Sequence, residues 1–336
     1  MMQDTQHCEL GDFILHSGER LQHARLSYVT YGRLNRRRDN AILLPSWYAG
    51  DHRGWDALIG TGQVLDPARY FIICTNLFGN GVSSSPSHPG PQQGRRFPAV
   101  TLLDNVRAQH RLIFDHWQID RLALVAGWSM GAMQGYQWAA LYPDAVGALL
   151  AVCGSAKCWP LNQVFLSGIA AALQTDPLFQ QGSYTRPPLQ GLAAFGRCYA
   201  GWAYSAAFYR QHLYRQLNFP TREALLHYWE QDHQGRDAND LLCMLHSWQT
   251  ANIADNAHFS GDFDAAMAAI SARTIVMPCT TDSYFTLEEA EMECGLLPRG
   301  EWRPLASPFG HCAGAPGRLP AESAFICRAM ADLLAA

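Results

Sequence analysis

Charge is scarce in this sequence. Only 16% of its 336 residues are Asp, Glu, Lys or Arg, and the formal net charge is −4 at neutral pH. That balance offers no electrostatic attraction to nucleic acid or to an anionic membrane, and neither is expected as a partner. The densest basic block, NRRRDN at 35–40, reads as a solvated turn. No apolar run approaches the roughly 20 residues that a bilayer-spanning helix needs. The N-terminal MMQDTQHCEL carries Asp4 and Glu9 and lacks a basic stretch followed by an apolar core, so no secretory leader is expected. The ten cysteines are dispersed without a CxxC pair, and Cys74, Cys153 and Cys279 lie in or beside apolar strand-like runs. Reduced core thiols in a cytoplasmic protein are the expectation. Fixed-period repeats and low-complexity linkers are missing too. Histidines and acids do not recur at metal-ligand spacing, HCAGAPGRLPAE at 311–322 included, so neither a metal nor another cofactor is expected.

What is abundant is apolar side chain, 48% of the chain, enough for a large core in one domain with an insertion or in two smaller domains. Strand-like runs lie at 24–34 (ARLSYVTYGRL), 41–47 (AILLPSW) and 70–77 (YFIICTNL). A helix-like TLLDNVRAQHRLIFDHW at 101–117 and the strand RLALVAGW at 121–128 follow. Alternating strands and helices predict a mostly parallel sheet with helices on both faces. Strands resume with ARTIVMPCTTD at 272–282 and, more weakly, EWRPLAS at 301–307. Between about 155 and 268 no Val/Ile-rich strand is visible, and stretches such as SAAFYRQHLYRQL (205–217) and DANDLLCMLHSWQTANI (237–253) read as helices. The expected organisation is an α/β core over 1–154 and 269–336 with a helical cap over 155–268.

The stretch LVAGWSMGAMQGYQWAALYP at 124–143 carries the chemistry. Gly127 and Gly131 flank Ser129 between an apolar strand and an Ala-rich helix, the pattern of a nucleophile elbow, in which a tight turn lifts the hydroxyl clear of the sheet's carboxyl edge. The backbone N–H of Met130 then opens the next helix, where an oxyanion is stabilised. A serine needs a base, and the base a third group that fixes its tautomer. In chain order Ser, Asp, His, two positions fit. Asp282 follows the late strand, whereas its competitors Asp255, Asp262 and Asp264 precede it. His311, one of 13 histidines, lies in the Gly/Pro-rich SPFGHCAGAPG after the last strand.

With these residues in place, the chain resembles the homoserine O-acetyltransferase-like branch of the α/β-hydrolases. The likeness runs through GWDALIGTGQVLDPARYFIICTNLFGNGVSSSPS (54–87), TLLDNVRAQHRLI, GWSMGAMQ, GRDAND (235–240), TDSYFTLEEAE (281–291) and FGHCAGAPG. It implies an α/β-hydrolase fold, a helical cap over the site, and an acyl-enzyme on Ser129 with His311 and Asp282 as partners. It also implies Tyr48, in LPSWYAGD, as donor of a second oxyanion N–H. Trp47 and Trp128, each adjacent to one of these residues, are further substrate-binding candidates.

The departures bear on the substrate. Members that acetylate homoserine typically carry a HALTG-like loop after the first of these strands and an aspartate after the catalytic histidine. Here the stretches are SWYAG and HCAG, so Cys312 offers no charge to an amine and homoserine is not the expected acceptor. Arg197, in GLAAFGRCYAGWAYS, matches an arginine that the transferases use for a substrate carboxylate; the other reading is an interhelical or surface arginine. FGNGVSSSPS at 78–87 lacks the Lys-Ser/Thr ending of a phosphate loop and reads as a tight loop beside the site. The leading expectation is hydrolysis of a small or medium carboxylic ester. The alternatives are an O-acyltransferase using acetyl-CoA or another acyl-CoA as co-substrate, and a non-hydrolytic tailoring or binding protein. The expected partner is thus a small-molecule ester or an acyl donor and acceptor, with a homodimer left open.

Overall fold

Four short apolar runs form the centre of the sheet because helices cover both of its faces. The computed structural model describes residues 4–335; Met1–Gln3, the start of the segment read for a leader, and Ala336 lie outside it. Its strands are β1 (Gln6–Ile14), β2 (Arg20–Tyr31), β3 (Ala41–Pro45), β4 (Phe71–Thr75), β5 (Leu124–Trp128), β6 (Ala148–Val152), β7 (Arg273–Met277) and β8 (Gly300–Trp302). They lie in the order β1-β2-β4-β3-β5-β6-β7-β8, antiparallel at β1-β2 and β2-β4 and parallel from there on. Every residue of β3, β4, β5 and β6 is buried, as a parallel sheet covered on both faces requires. Side chains alternate between two cores: Leu124 and Ala126 face one, Val125 the other. Helices α1 (Leu102–His110) and α2 (Met130–Leu141) supply Val106, Tyr136 and Trp138 to the core that holds Val125.

Between β6 and β7 come α3 (Pro160–Gln174), α4 (Leu189–Ala203), α5 (Ala206–Arg210), α6 (Arg222–Gln234), α7 (Ala238–Gln249) and α8 (Phe263–Ala268). The two ends of this excursion meet in a neck, where the Cys158 N–H donates to Ala251 O at 2.8 Å and the Ile253 N–H to Ala156 O at 3.1 Å. Helix α9 (Leu287–Leu296) braces the neck through buried Glu293, which accepts from the Ala156 N–H at 3.0 Å and the Trp159 indole N–H at 2.8 Å. Beyond the neck, Ile253, Ala254, Phe259, Ala266 and Met267 pack into the core on the other side of the sheet. We therefore propose the neck as the cap's boundary, which leaves α8 with the main domain rather than in the expected 155–268 cap. The chain ends in α10 (Pro320–Leu334), packed on the face opposite to α1 through Ile326, Met330 and Leu333.

Three element expectations need correction. The helix at 101–117 is α-helical only to His110 and widens to a π-turn at Arg111–His116. The helix at 205–217 breaks, because His212 has φ +55° between α5 and a 3₁₀ turn at Leu213–Leu217. The strand at 301–307 is only β8, since Pro304 has no N–H to continue the ladder, and pairing resumes as a single bridge between Cys279 and Leu305.

Candidate active site

The elbow is built from backbone and glycine. β5 stops at Trp128, α2 starts at Met130, and Ser129 alone makes the turn with φ 58° and ψ −130°. A non-glycine residue held in so sparsely populated a region costs about 1–3 kcal/mol and persists only where its surroundings over-determine it. The surroundings do so. A Cβ on Gly127 would lie 2.1 Å from the Gly131 carbonyl carbon, one on Gly131 would lie 2.9 Å from Pro45 O, and one on Gly154 would lie 2.6 Å from Ser129 O. These glycines let β5, α2 and the chain leaving β6 close around the serine.

The carboxyl ends of the strands bring the predicted residues together. His311 Nε2 lies 2.9 Å from Ser129 Oγ, and His311 Nδ1 lies 2.7 Å from Asp282 Oδ2; all three residues are buried. Asp282 is fixed in turn, since its Oδ1 accepts from the N–H groups of Tyr284 at 3.2 Å and Phe285 at 3.1 Å. With a proton on Nδ1 shared with the carboxylate, Nε2 is left to accept from the serine hydroxyl. The imidazole is held between rings: Trp128 stacks at 5.1 Å, Tyr284 lies at 4.6 Å and Phe285 stacks at 5.4 Å. Gly310 allows the approach of this loop, for at φ +64° its Cβ would lie 2.7 Å from the Ser205 N–H nitrogen. The Gly310 N–H donates to Thr281 Oγ1 at 3.1 Å, which ties the histidine loop to the aspartate loop.

The backbone N–H groups of Met130, which opens α2, and of Tyr48 meet no protein acceptor among the described residues. The Tyr48 loop is held from two sides. Asn80 Nδ2 donates to Gly50 O at 3.2 Å, and Arg236 Nη1 donates to Ala49 O at 2.6 Å. The 78–87 segment is thus a tight supporting loop, joined to the cap where the Ser87 hydroxyl donates to Asp240 at 2.6 Å. Burial pushes the Asp240 carboxyl up to about 7.

Above Ser129 lies a cavity of about 300 Å³. Trp47, Tyr48 and Trp128 line its lower wall, and Tyr199, Tyr228 and Trp229 of the cap line its upper wall. Trp47 packs edge-on to Trp128 at 4.9 Å, while Tyr48 stacks on Tyr199 at 5.8 Å. Cys312 is buried next to His311, and burial pushes its thiol up, so the position presents a neutral group.

Arg197 is not brought to this cavity. It lies on the outer face of α4 and pairs with Glu230 at 2.6 Å and Glu223 at 2.7 Å on α6. A helix that turns Tyr199 and Ala203 inward turns a residue two positions before Tyr199 outward. Two other arginines line the cavity, Arg236 and Arg318, and reasoning from the sequence missed both. Arg236 sits in the quoted GRDAND motif, which was the available signal; its guanidinium is paired with Asp232 at 3.0 Å.

Residues 40–313 match the α/β-hydrolase fold family, and the chain belongs to it. It is an enzyme of that superfamily, a serine hydrolase or an O-acyltransferase. An ethyl acetate hydrolase of Pseudomonas veronii is 35% identical over 90% of this chain and 87% of its own. A homoserine O-acetyltransferase of Chlorobium chlorochromatii is 30% identical over 90% of this chain and 88% of its own. Among solved structures, the acetyl esterase MekB superposes with a TM-score of 0.95 at 33% identity, covering 99% of this chain and 97% of the other.

Proposed function

We propose that the protein hydrolyses small carboxylic esters through an acyl-enzyme on Ser129. The carrying observation is the hydrogen-bonded line from Ser129 through His311 to Asp282 at the floor of a small cavity. His311 takes the hydroxyl proton as Oγ attacks the ester carbonyl, and the N–H groups of Met130 and Tyr48 receive the developing oxyanion. Collapse of the tetrahedral adduct expels the alcohol, which leaves with the proton from His311. Water then attacks the acyl-serine with His311 again as base, releasing the acid and restoring the hydroxyl. No cofactor is needed in either half.

Water rather than a second alcohol is the acceptor in this reading. The neutral, buried Cys312 beside His311 provides no anion for an amino-acid acceptor, and Arg197 faces away from the cavity. The likeness to the ethyl acetate hydrolase and to the acetyl esterase supports the same choice. The test supplies purified protein with p-nitrophenyl acetate or ethyl acetate in buffer, and separately with acetyl-CoA and small alcohols. Steady alcohol release in water and no thiol release from acetyl-CoA are expected. Thiol release that depends on an added alcohol would reverse the assignment in favour of transfer.

A further inference from the structure

The cavity holds two arginines in different circumstances. Arg236 is neutralised by Asp232, to which its Nε donates at 3.0 Å, and a second N–H is taken by Ala49 O. Arg318 has no carboxylate within ion-pair distance among the described residues. The protein acceptors it meets there are the Tyr204 hydroxyl, 2.7 Å from Nη2, and the Cys312 sulfur, 4.0 Å from Nη1. The Tyr204 ring lies beneath the guanidinium, 5.8 Å from its carbon, and sets its plane. The side chain is nonetheless exposed, and it lines the same cavity as Ser129 and His311. With Asp232 and Arg236 cancelling, Arg318 leaves the lining with one uncompensated positive charge, while the Asp282 carboxylate is turned toward His311 Nδ1.

The guanidinium rests on the Tyr204 ring, open both to solvent and to the cavity, and meets no carboxylate among the described residues. Its fork of free N–H donors matches a carboxylate bidentately, and it does so at the place where substrate must sit. We infer that Arg318 anchors a carboxylate on the substrate, so that the preferred ester is a monoanion rather than a neutral molecule. This rests on the esterase reading above and refines its substrate class. The carboxylate belongs either to the acyl part, as in a half-ester of a dicarboxylic acid, or to the alcohol part, as in an acylated hydroxy acid.

Two matched pairs separate the sources at low ionic strength: ethyl hydrogen succinate against diethyl succinate, and O-acetylglycolate against its methyl ester. In the wild-type protein at least one anionic member should exceed its neutral partner in kcat/KM by about tenfold or more, the scale of a charge-assisted bidentate contact. The pair that shows it identifies the side that carries the charge. Arg318→Gln should reduce that ratio by about tenfold, and Arg318→Lys by less, because charge is kept but the planar fork is lost. The ratio is the readout, since a merely structural loss would lower both members together. A wild-type ratio near one in both pairs overturns the inference, as does a large ratio that survives in both variants. Hydrolysis of p-nitrophenyl acetate without any preference for the anion would sink the Arg318 assignment alone, whereas absence of hydrolysis of every ester would sink the esterase reading itself.

Discussion

The floor of the cavity and its upper wall are made in different ways. The floor, where β5 passes through Ser129 into α2, is specified by main-chain geometry: a strained serine, three glycines that admit close backbone approach, and the N–H groups of Met130 and Tyr48, which meet no acceptor among the described residues. The wall is specified by side chains on α4, on α6 and in the turn after α6, where Tyr199, Trp229 and Arg236 meet residues distant in sequence. The first kind of structure fixes a reaction, and the second selects what enters it.

That difference orders the expected effects of substitution. The largest lies in the floor: His311→Ala should lower kcat by about 10⁴-fold or more, because serine and base act as one unit. His110→Ala, whose imidazole stacks on Phe114 and lies tilted against Tyr142 away from the cavity, should leave the rate near wild type. Steady-state kinetics on p-nitrophenyl acetate compares the two, and loss of rate in His110→Ala instead would break the assignment. Gly127→Ala comes next, with a stability loss of about 3 kcal/mol or failure to fold, since its Cβ would overlap the Gly131 backbone. Urea denaturation measures it, and an unchanged midpoint would contradict the packing argument.

The neck that joins floor to wall should respond to pH. Burial pushes the Glu293 carboxyl up from the usual 4.5 to about 8. Between those values the folded chain retains a proton that the unfolded chain has released, so this group's contribution is complete below pH 4.5 and declines as pH rises toward 8. Glu293→Gln should therefore flatten the dependence of Tm on pH between 5 and 8, as read by thermal melts. An identical slope in the variant would show that Glu293 titrates normally. The smallest effect belongs to the outer face of the wall. Arg197→Lys alters an exposed ion pair and should change neither Tm appreciably nor the preference between acidic and neutral esters, measured as a ratio of kcat/KM values. A selective loss on acidic esters would return Arg197 to the binding site.

Legibility in the sequence follows the same division. Ser129 is readable because the elbow is local, with Gly127 and Gly131 two residues away on either side. Asp282 and His311 are readable because each follows a late strand, and strand ends converge on one edge of a parallel sheet. β1 escaped notice because its alternation is interrupted by register shifts around Gly11, which has φ +65°. Arg318 lies one residue beyond the quoted FGHCAGAPG, and its place depends on Tyr204, more than a hundred residues away. Arg197 stayed open between two readings for a related reason: a family match does not state which face of α4 looks inward.

Covalent trapping tests the central claim most directly. The protein is mixed with p-nitrophenyl acetate, quenched in acid within the first turnover, digested, and read by mass spectrometry. An acetyl group is expected on the peptide containing Ser129, with its disappearance as substrate is exhausted in water, and neither acetylation nor turnover is expected in Ser129→Ala. Acetylation at another residue with turnover retained in Ser129→Ala would contradict the claim.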